Sequence, residues 1–372
     1  MTARALEAVA KRFEVAGRLV TVQPIAGGNV NDTYLAVFRT AFSEERVVLQ
    51  RINRRVFRRP AWIMSNLRAV TDHVHRRLER EAKGEDRVWQ LPRIVRSRAG
   101  RDWHTDPSGG FWRALTLIAS ASAHDRATGP EHAFEAGTVL GQFHRLLSDL
   151  EPARLRDTLP GFHVTPLYLR RYDETLRGPQ ARRRLRSSLE AARLARFIEE
   201  RRAFAGALEE ARARGELRLR LIHGDPKVNN ILLDELTGKG TCIVDLDTVK
   251  PGLIHYDFGD ALRSIANPAG EEELDLGKVF FDTGLCEAFV RGYLSRARAF
   301  LTAADRTHLF GAIRLIAFEL GLRFFQDHLA GDRYFKVSHD GHNLHRARVQ
   351  FRLCESIEVR EPEIRRILEA AG

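Results

Sequence analysis

Cysteine is scarce. The chain has three, Cys242, Cys286 and Cys354, an odd number set far apart, which excludes a disulfide framework and any familiar metal-ligand spacing. A reducing compartment fits that scarcity, and the cytoplasm is the expected location. Long apolar runs are missing too. The longest, Leu309 to Leu322, is broken by Arg314 and Glu319 and falls short of the roughly 20 residues a bilayer span requires. Glu7 and Glu14 interrupt the first residues, so a secretory signal is not expected. There is no Gly/Ser or Gln/Asn tract, no repeat of fixed period, and only 13 prolines in 372 residues, which leaves little room for disorder.

Acidic residues are also in deficit, giving a formal charge of +11. The basic residues are nearly all arginine, and many, such as Arg182, Arg183, Arg184, Arg186, Arg193 and Arg196, fall in helical stretches. No basic run is interleaved with stacking aromatics, as single-strand binders require. The charge therefore reads as solvated helix faces, with attraction of nucleotide phosphates as a further use. Neither nucleic acid, a membrane surface nor an obligate protein partner is expected.

At this length the chain can bury one large core or two ordinary ones, since single cores rarely grow past roughly 250–300 residues. Two lobes are expected. Leu6, Val9 and Phe13 mark an amphipathic helix over residues 3–16. From Val20 to about Leu49, β-branched and aromatic runs separated by Gly/Asn turns predict an antiparallel meander. Pro60 opens a helix reaching about Lys83, and strands follow at Leu91–Val95, Asp102–Asp106 and Trp112–Ile118. The small residues 119–123 read as a hinge. Beyond it the signals are helical, over 131–149, 185–213 and twice within 277–330. The fold class is thus α+β, a two-lobed, protein-kinase-like arrangement with an antiparallel sheet and one long helix in residues 1–118 and a mostly helical lobe in 119–372.

The chemistry is concentrated in His223-Gly224-Asp225-Pro226-Lys227-Val228-Asn229-Asn230, followed by apolar runs at 230–233 and 242–244 around the turn Gly238-Lys239-Gly240. That is a loop ending in a hairpin. Phosphoryl transfer needs an aligned nucleophile, held phosphates and metal that neutralises charge. Asp225 on the loop suits the substrate hydroxyl. Asn230 and Asp245, an amide oxygen and a carboxylate, suit magnesium (Mg2+), a hard cation that prefers oxygen. Asp247 falls on the face of Asp245 if the strand continues, where it would assist the metal or orient sugar hydroxyls.

His-Gly-Asp-x-x-x-x-Asn followed by a strand-end Asp resembles the signature of the aminoglycoside phosphotransferase and choline kinase superfamily, relatives of protein kinases. The resemblance implies Asp225 as catalytic base, Asn230 and Asp245 as metal ligands, and ATP bound in a cleft between lobes. His223 and Gly224 would shape the loop, and Asp257 and Asp260 would cap a helix or brace it. The Gly27-Gly28-Asn29 loop would cover the phosphates through backbone N–H groups. Where the superfamily carries a phosphate-gripping lysine on the third strand, this chain has Gln50-Arg51, and Arg51 is the better physical replacement because its guanidinium is a planar fork. Further phrases, Gly27 to Tyr34, Leu49 to Asn53, Asp245 to Gly252, Glu319 to Phe324 and Asp332 to Lys336, are similar to the N-acetylhexosamine 1-kinase subgroup. That implies ATP- and Mg2+-dependent phosphorylation of a sugar at its anomeric hydroxyl, with Arg323 and Tyr334 on the sugar.

Two other readings stand beside it. One is a kinase of the same fold for an aminoglycoside, choline or homoserine. The other is a catalytically silent nucleotide-binding protein, against which the retention of Asp225, Asn230 and Asp245 together argues. A polyanion-binding module ranks last.

Overall fold

The computed structural model describes residues 2–25, 30–81 and 87–371. Contacts divide the chain into two compact units: Met1–Ala121 with Ala153–Leu159 and Leu246–Val249, and Ser122–Pro152, Pro160–Asp245 and Lys250–Gly372. Among the described residues no helix is long and apolar enough to cross a membrane.

The first unit holds α1 (Ala3–Ala10), β1 (Arg18–Pro24), β2 (Asp32–Arg39), β3 (Glu44–Arg51), α2 (Pro60–Glu81), β4 (Ile94–Val95), β5 (His104–Thr105) and β6 (Phe111–Thr116). These strands form an antiparallel sheet in the order β1-β2-β3-β6-β4, with β5 on β6. Side chains alternate between the two faces of a strand. Ala36, Phe38, Val47, Leu49, Trp112 and Ala114 therefore share one face and bury it against Leu6 and Val9 of α1. The helix stops sooner than expected because Phe13 leaves it to bridge Ser97 beside the sheet. The opposite face carries Thr33, Gln50 and Arg113, which the strand register sets side by side. Asn66 of α2 ties that helix to later chain, its amide donating to the carbonyls of Arg156 (2.7 Å) and Val249 (3.0 Å).

The stretch expected to be a hinge contains a strand, β7 (Ala121–Ala123). In chain order α3 (Pro130–Leu147), α4 (Thr165–Leu176), α5 (Pro179–Ser187), α6 (Leu189–Arg201) and α7 (Ala207–Ala213) follow, then β8 (Arg220–Ile222), β9 (Ile231–Asp234), β10 (Gly240–Ile243) and β11 (Lys250–Gly252). The remainder is helical: α8 (Ile254–Ile265), α9 (Thr283–Ala297), α10 (Ala303–Thr307), α11 (Leu309–Ala330), α12 (His342–Val359) and α13 (Glu361–Ala371). β9 lies between β7 and β10, and β8 pairs β11. The expected hairpin is present as β9 and β10, paired antiparallel. Its role is positional: it returns the chain from Asn230 to Asp245.

Candidate active site

The loop after β8 is shaped by its own backbone. Gly224 sits at φ +88°, a left-handed conformation that side chains resist. The carboxylate of Asp257, in the first turn of α8, accepts from the N–H of His223 (2.6 Å) and of Gly224 (2.8 Å). His144 of α3 donates to the same carboxylate at 2.8 Å, and its other nitrogen meets the Tyr293 hydroxyl at 3.0 Å. Asp257 is fully buried, so this set of donors is what offsets the cost of desolvating its charge.

His223 connects both ends of the hairpin. Its Nε2 faces the Val244 carbonyl at 2.8 Å, and its Nδ1 accepts from the Asp225 N–H at 3.2 Å. That pattern requires a neutral ring protonated on Nε2, and burial lowers its pKa accordingly. A backbone bond from Val244 N to Asn230 O (2.8 Å) closes the arrangement. Asp245 then turns away at φ +63°, a costly conformation for a non-glycine residue and one that clusters at functional sites.

Asp225, Asn230 and Asp245 are thus brought together through His223 and Val244. The Asn230 amide nitrogen donates to the Asp225 carbonyl (2.8 Å) and reaches its carboxylate at 3.3 Å. This commits the nitrogen and leaves Oδ1 as the free hard donor, which fits a magnesium ligand set shared with Asp245 and with oxygens from outside the protein. Among the described residues no cluster of three or more His, Cys, Asp and Glu side chains is set to hold a metal. Lys227 was not singled out from the sequence, though it stands two residues past Asp225. Its Nζ lies 3.1 Å from the Asp225 carboxylate. Asp225 first, then Asp245 and Glu271, push its pKa above the ordinary value, so it is a fixed positive charge.

Asp247 is placed elsewhere. The strand does not continue past Ile243, and Leu246–Thr248 form a short 3-10 turn, so the alternation that would have set Asp247 beside Asp245 is lost. Its carboxylate is buried within the first unit, accepting from Asn31 at 2.7 Å and ion-paired with Arg113. Arg113 also donates to Gln50 at 2.9 and 2.7 Å. Gln50 is therefore the third-strand side chain on the Asp247 face. Strand alternation turns Arg51 to the other face, where its guanidinium lies 6.0 Å from the Trp112 ring. Gly27, Gly28 and Asn29 lie outside the described residues.

Arg323 and Tyr334 are brought together. Asp327 of α11 makes this possible, its buried carboxylate accepting from the N–H groups of Arg333, Tyr334 and Phe335, each at 2.9 Å. The Arg323 guanidinium sits among the rings of Phe162 (5.0 Å), Tyr168 (5.1 Å) and Phe335 (5.5 Å). It has no ion-pair partner among the described residues. Tyr334 is 60% exposed and packs edge-on against Phe335. The sequence carried no signal for Asp327, Tyr168 or Phe162, which reach the site only through the packing of α4 and α11.

The loop carrying Asp225, a hairpin returning to Asp245, and a sheet-bearing first unit have the arrangement of the kinase-like phosphotransferases. The sequence pattern of the phosphotransferase enzyme family matches residues 21–300, and the chain belongs to that family: it transfers a phosphoryl group to a hydroxyl acceptor. Solved structures share the fold. A microcompartment-associated aminopropanol kinase is 19% identical, covering 98% of this chain and 99% of its own, at a TM-score of 0.58. A choline kinase from Cryptosporidium parvum Iowa II is 11% identical over 98% of each chain, at 0.60. A spectinomycin phosphotransferase in complex with ADP and spectinomycin is 13% identical, covering 100% and 98%, at 0.53.

Proposed function

We propose that this enzyme uses ATP to phosphorylate the anomeric C1 hydroxyl of an N-acetylhexosamine, giving the sugar 1-phosphate. The observation that carries the reading is Arg323 among Phe162, Tyr168 and Phe335. Aromatic boxes attract quaternary and protonated amines by cation–π interaction. Here a guanidinium already fills that position, so the cation of choline, an aminoalcohol or an aminoglycoside would meet a like charge. A neutral sugar suits the site better, its apolar ring face against the aromatics and its hydroxyl or acetamido oxygens accepting from Arg323 and from Tyr334.

In this reading Asp225 orients the C1 hydroxyl and receives its proton as the sugar oxygen attacks the terminal phosphorus. The bond from that phosphorus to the ADP oxygen breaks in line, and ADP leaves. Lys227 lies beside Asp225, where its charge would face the transferred group. Magnesium held by Asn230 Oδ1 and Asp245 would neutralise charge developing on the phosphates. The Gly27–Asn29 loop is proposed to cover them.

The test is ADP formation over a panel of N-acetylglucosamine, N-acetylgalactosamine, glucose, galactose, choline, homoserine and kanamycin with magnesium, beside Asp225→Asn. Turnover of an acetylated hexosamine to an acid-labile 1-phosphate, lost in the variant, is expected. Turnover of choline, homoserine or kanamycin alone sinks the sugar assignment.

A further inference from the structure

One histidine outside the motif reaches into the catalytic loop. His163, buried just ahead of α4, presents Nε2 to the carbonyl of Gly224 at 2.8 Å and Nδ1 to the carboxylate of Glu319 at 3.0 Å. The second oxygen of Glu319 accepts from the Thr165 hydroxyl at 2.6 Å. Both partners of the ring are acceptors. A neutral imidazole has a single N–H and satisfies only one of them, so the pattern calls for a proton on each nitrogen.

We propose that His163 is a positioning residue: an imidazolium paired with Glu319 that holds the Gly224 carbonyl and so aims the Asp225 carboxylate at the acceptor hydroxyl. The inference rests on the reading of Asp225 as the hydroxyl-facing group. It leaves the identity of the acceptor open.

The geometry supplies three arguments. First, the peptide that carries Gly224 O also carries Asp225 N. Asp257 fixes the preceding N–H groups, His223 takes the Asp225 N–H, and His163 meets the carbonyl between them. Second, His163 itself sits at φ +65°. A left-handed backbone in a buried non-glycine residue costs of order 1–3 kcal/mol and persists where surrounding contacts enforce it. Third, the ring is clamped on both sides, stacked on Tyr256 of α8 at 5.6 Å and tilted over Phe162 at 4.0 Å, so its two nitrogens cannot be redirected without moving α8.

The charges around the ring favour the proton. Burial opposes it and Arg323 on α11 opposes it, but Glu319 on α11 and Asp260 on α8 outweigh both, and the pKa lies above the ordinary value. Glu319 and Arg323 are neighbours one turn apart on α11. The same helix therefore carries the residue that steadies the loop and the guanidinium proposed to meet the acceptor.

The experiment has two arms. In protein labelled with 15N-histidine, the His163 ring, assigned by its absence from His163→Asn, should show two protonated nitrogens at pH 7.5, and only one in Glu319→Gln. Asparagine tolerates the left-handed backbone but is too short to reach Gly224. In His163→Asn, kcat with N-acetylglucosamine should fall about 10- to 100-fold, the scale expected for a misplaced catalytic group, while KM for ATP changes less than about threefold. His163→Gln, which can restore a donor to the carbonyl without charge, should recover part of the loss. A single protonated nitrogen in the wild type overturns the proposal. So does a folded His163→Asn enzyme with wild-type kcat. The spectrum needs no acceptor, so a wild type that phosphorylates no hexosamine counts against the sugar reading, whereas a neutral ring counts against this one.

Discussion

Asp225 and Lys227 share one short segment, and their charges are matched at 3.1 Å. The pair has a consequence for substitution. Asp225→Asn keeps the shape and the contact to Asn230 but removes the carboxylate proposed to accept the hydroxyl proton. A fall in kcat of about 10²–10⁴ is expected, with an unchanged melting midpoint; a variant within tenfold of wild type would remove Asp225 from the chemistry. Lys227→Met tests something different. It deletes a fixed positive charge without deleting a proton acceptor, so kcat should fall about 10²-fold or more, as when a preorganised electrostatic partner is lost. If only KM for the acceptor moves, Lys227 is a binding group and its charge does not act on the transfer.

The elements that carry these residues are held by close backbone approach as much as by apolar area. Gly292 of α9 faces the carbonyl of Phe134 on α3, and Gly137 of α3 faces the carbonyl of Phe289 on α9, each with no room for a Cβ. α3 also delivers His144 to Asp257. Gly292→Ala should therefore cost about 1–3 kcal/mol by overpacking and lower the melting midpoint. Gly311→Ala on α11, where nothing lies within 4 Å of the added methyl, should instead stabilise by about 0.5–1 kcal/mol through helix propensity. Equal effects of the two would mean that α3 and α9 are not in this close contact.

At this scale the division between what the sequence disclosed and what it hid is physical. The meander, α2, α3 and the β9–β10 hairpin were legible because each is written in a local pattern: alternation, a stripe at helical spacing, or a Gly-Lys-Gly turn. Asp225, Asn230 and Asp245 were legible for the same reason, lying on one loop and its hairpin. α12 was not read, because buried Asn343, Gln350 and Ser356 interrupt any apolar stripe. His163 is not singled out by the sequence, since its partners stand 61 and 156 residues away. Asp247 was misplaced by assuming that a strand runs on where the chain enters a turn. Arg113 was passed over because its partners Gln50 and Asp247 come from distant segments.

Across the whole molecule, buried histidines set how stability responds to pH. His132 has its pKa lowered to about 4 by burial and then by His124, and burial lowers His223 and His255 as well. Unfolded, each returns toward about 6.5. Between pH 6.5 and 4 the unfolded chain binds more protons than the folded one, so stability rises with pH through that window and is lost as pH falls. The ceiling is about 1.4 kcal/mol per pH unit for each proton, and solvent screening around His132 keeps it below that. Asp106, whose carboxyl is held at about 2 by Ser108, Trp112 and Gly110 in spite of burial, adds a loss of the same sign below pH 3.8. His163 works in the opposite sense. Its folded pKa is raised, so its contribution is complete below about 6.5 and fades as pH climbs through the raised value. Melting midpoints at fixed salt should therefore climb from pH 4 to 6.5 and then decline at higher pH. In His163→Asn the acid-side climb should survive while the alkaline decline becomes shallower, and a decline of unchanged steepness would show that His163 carries no proton that folding holds.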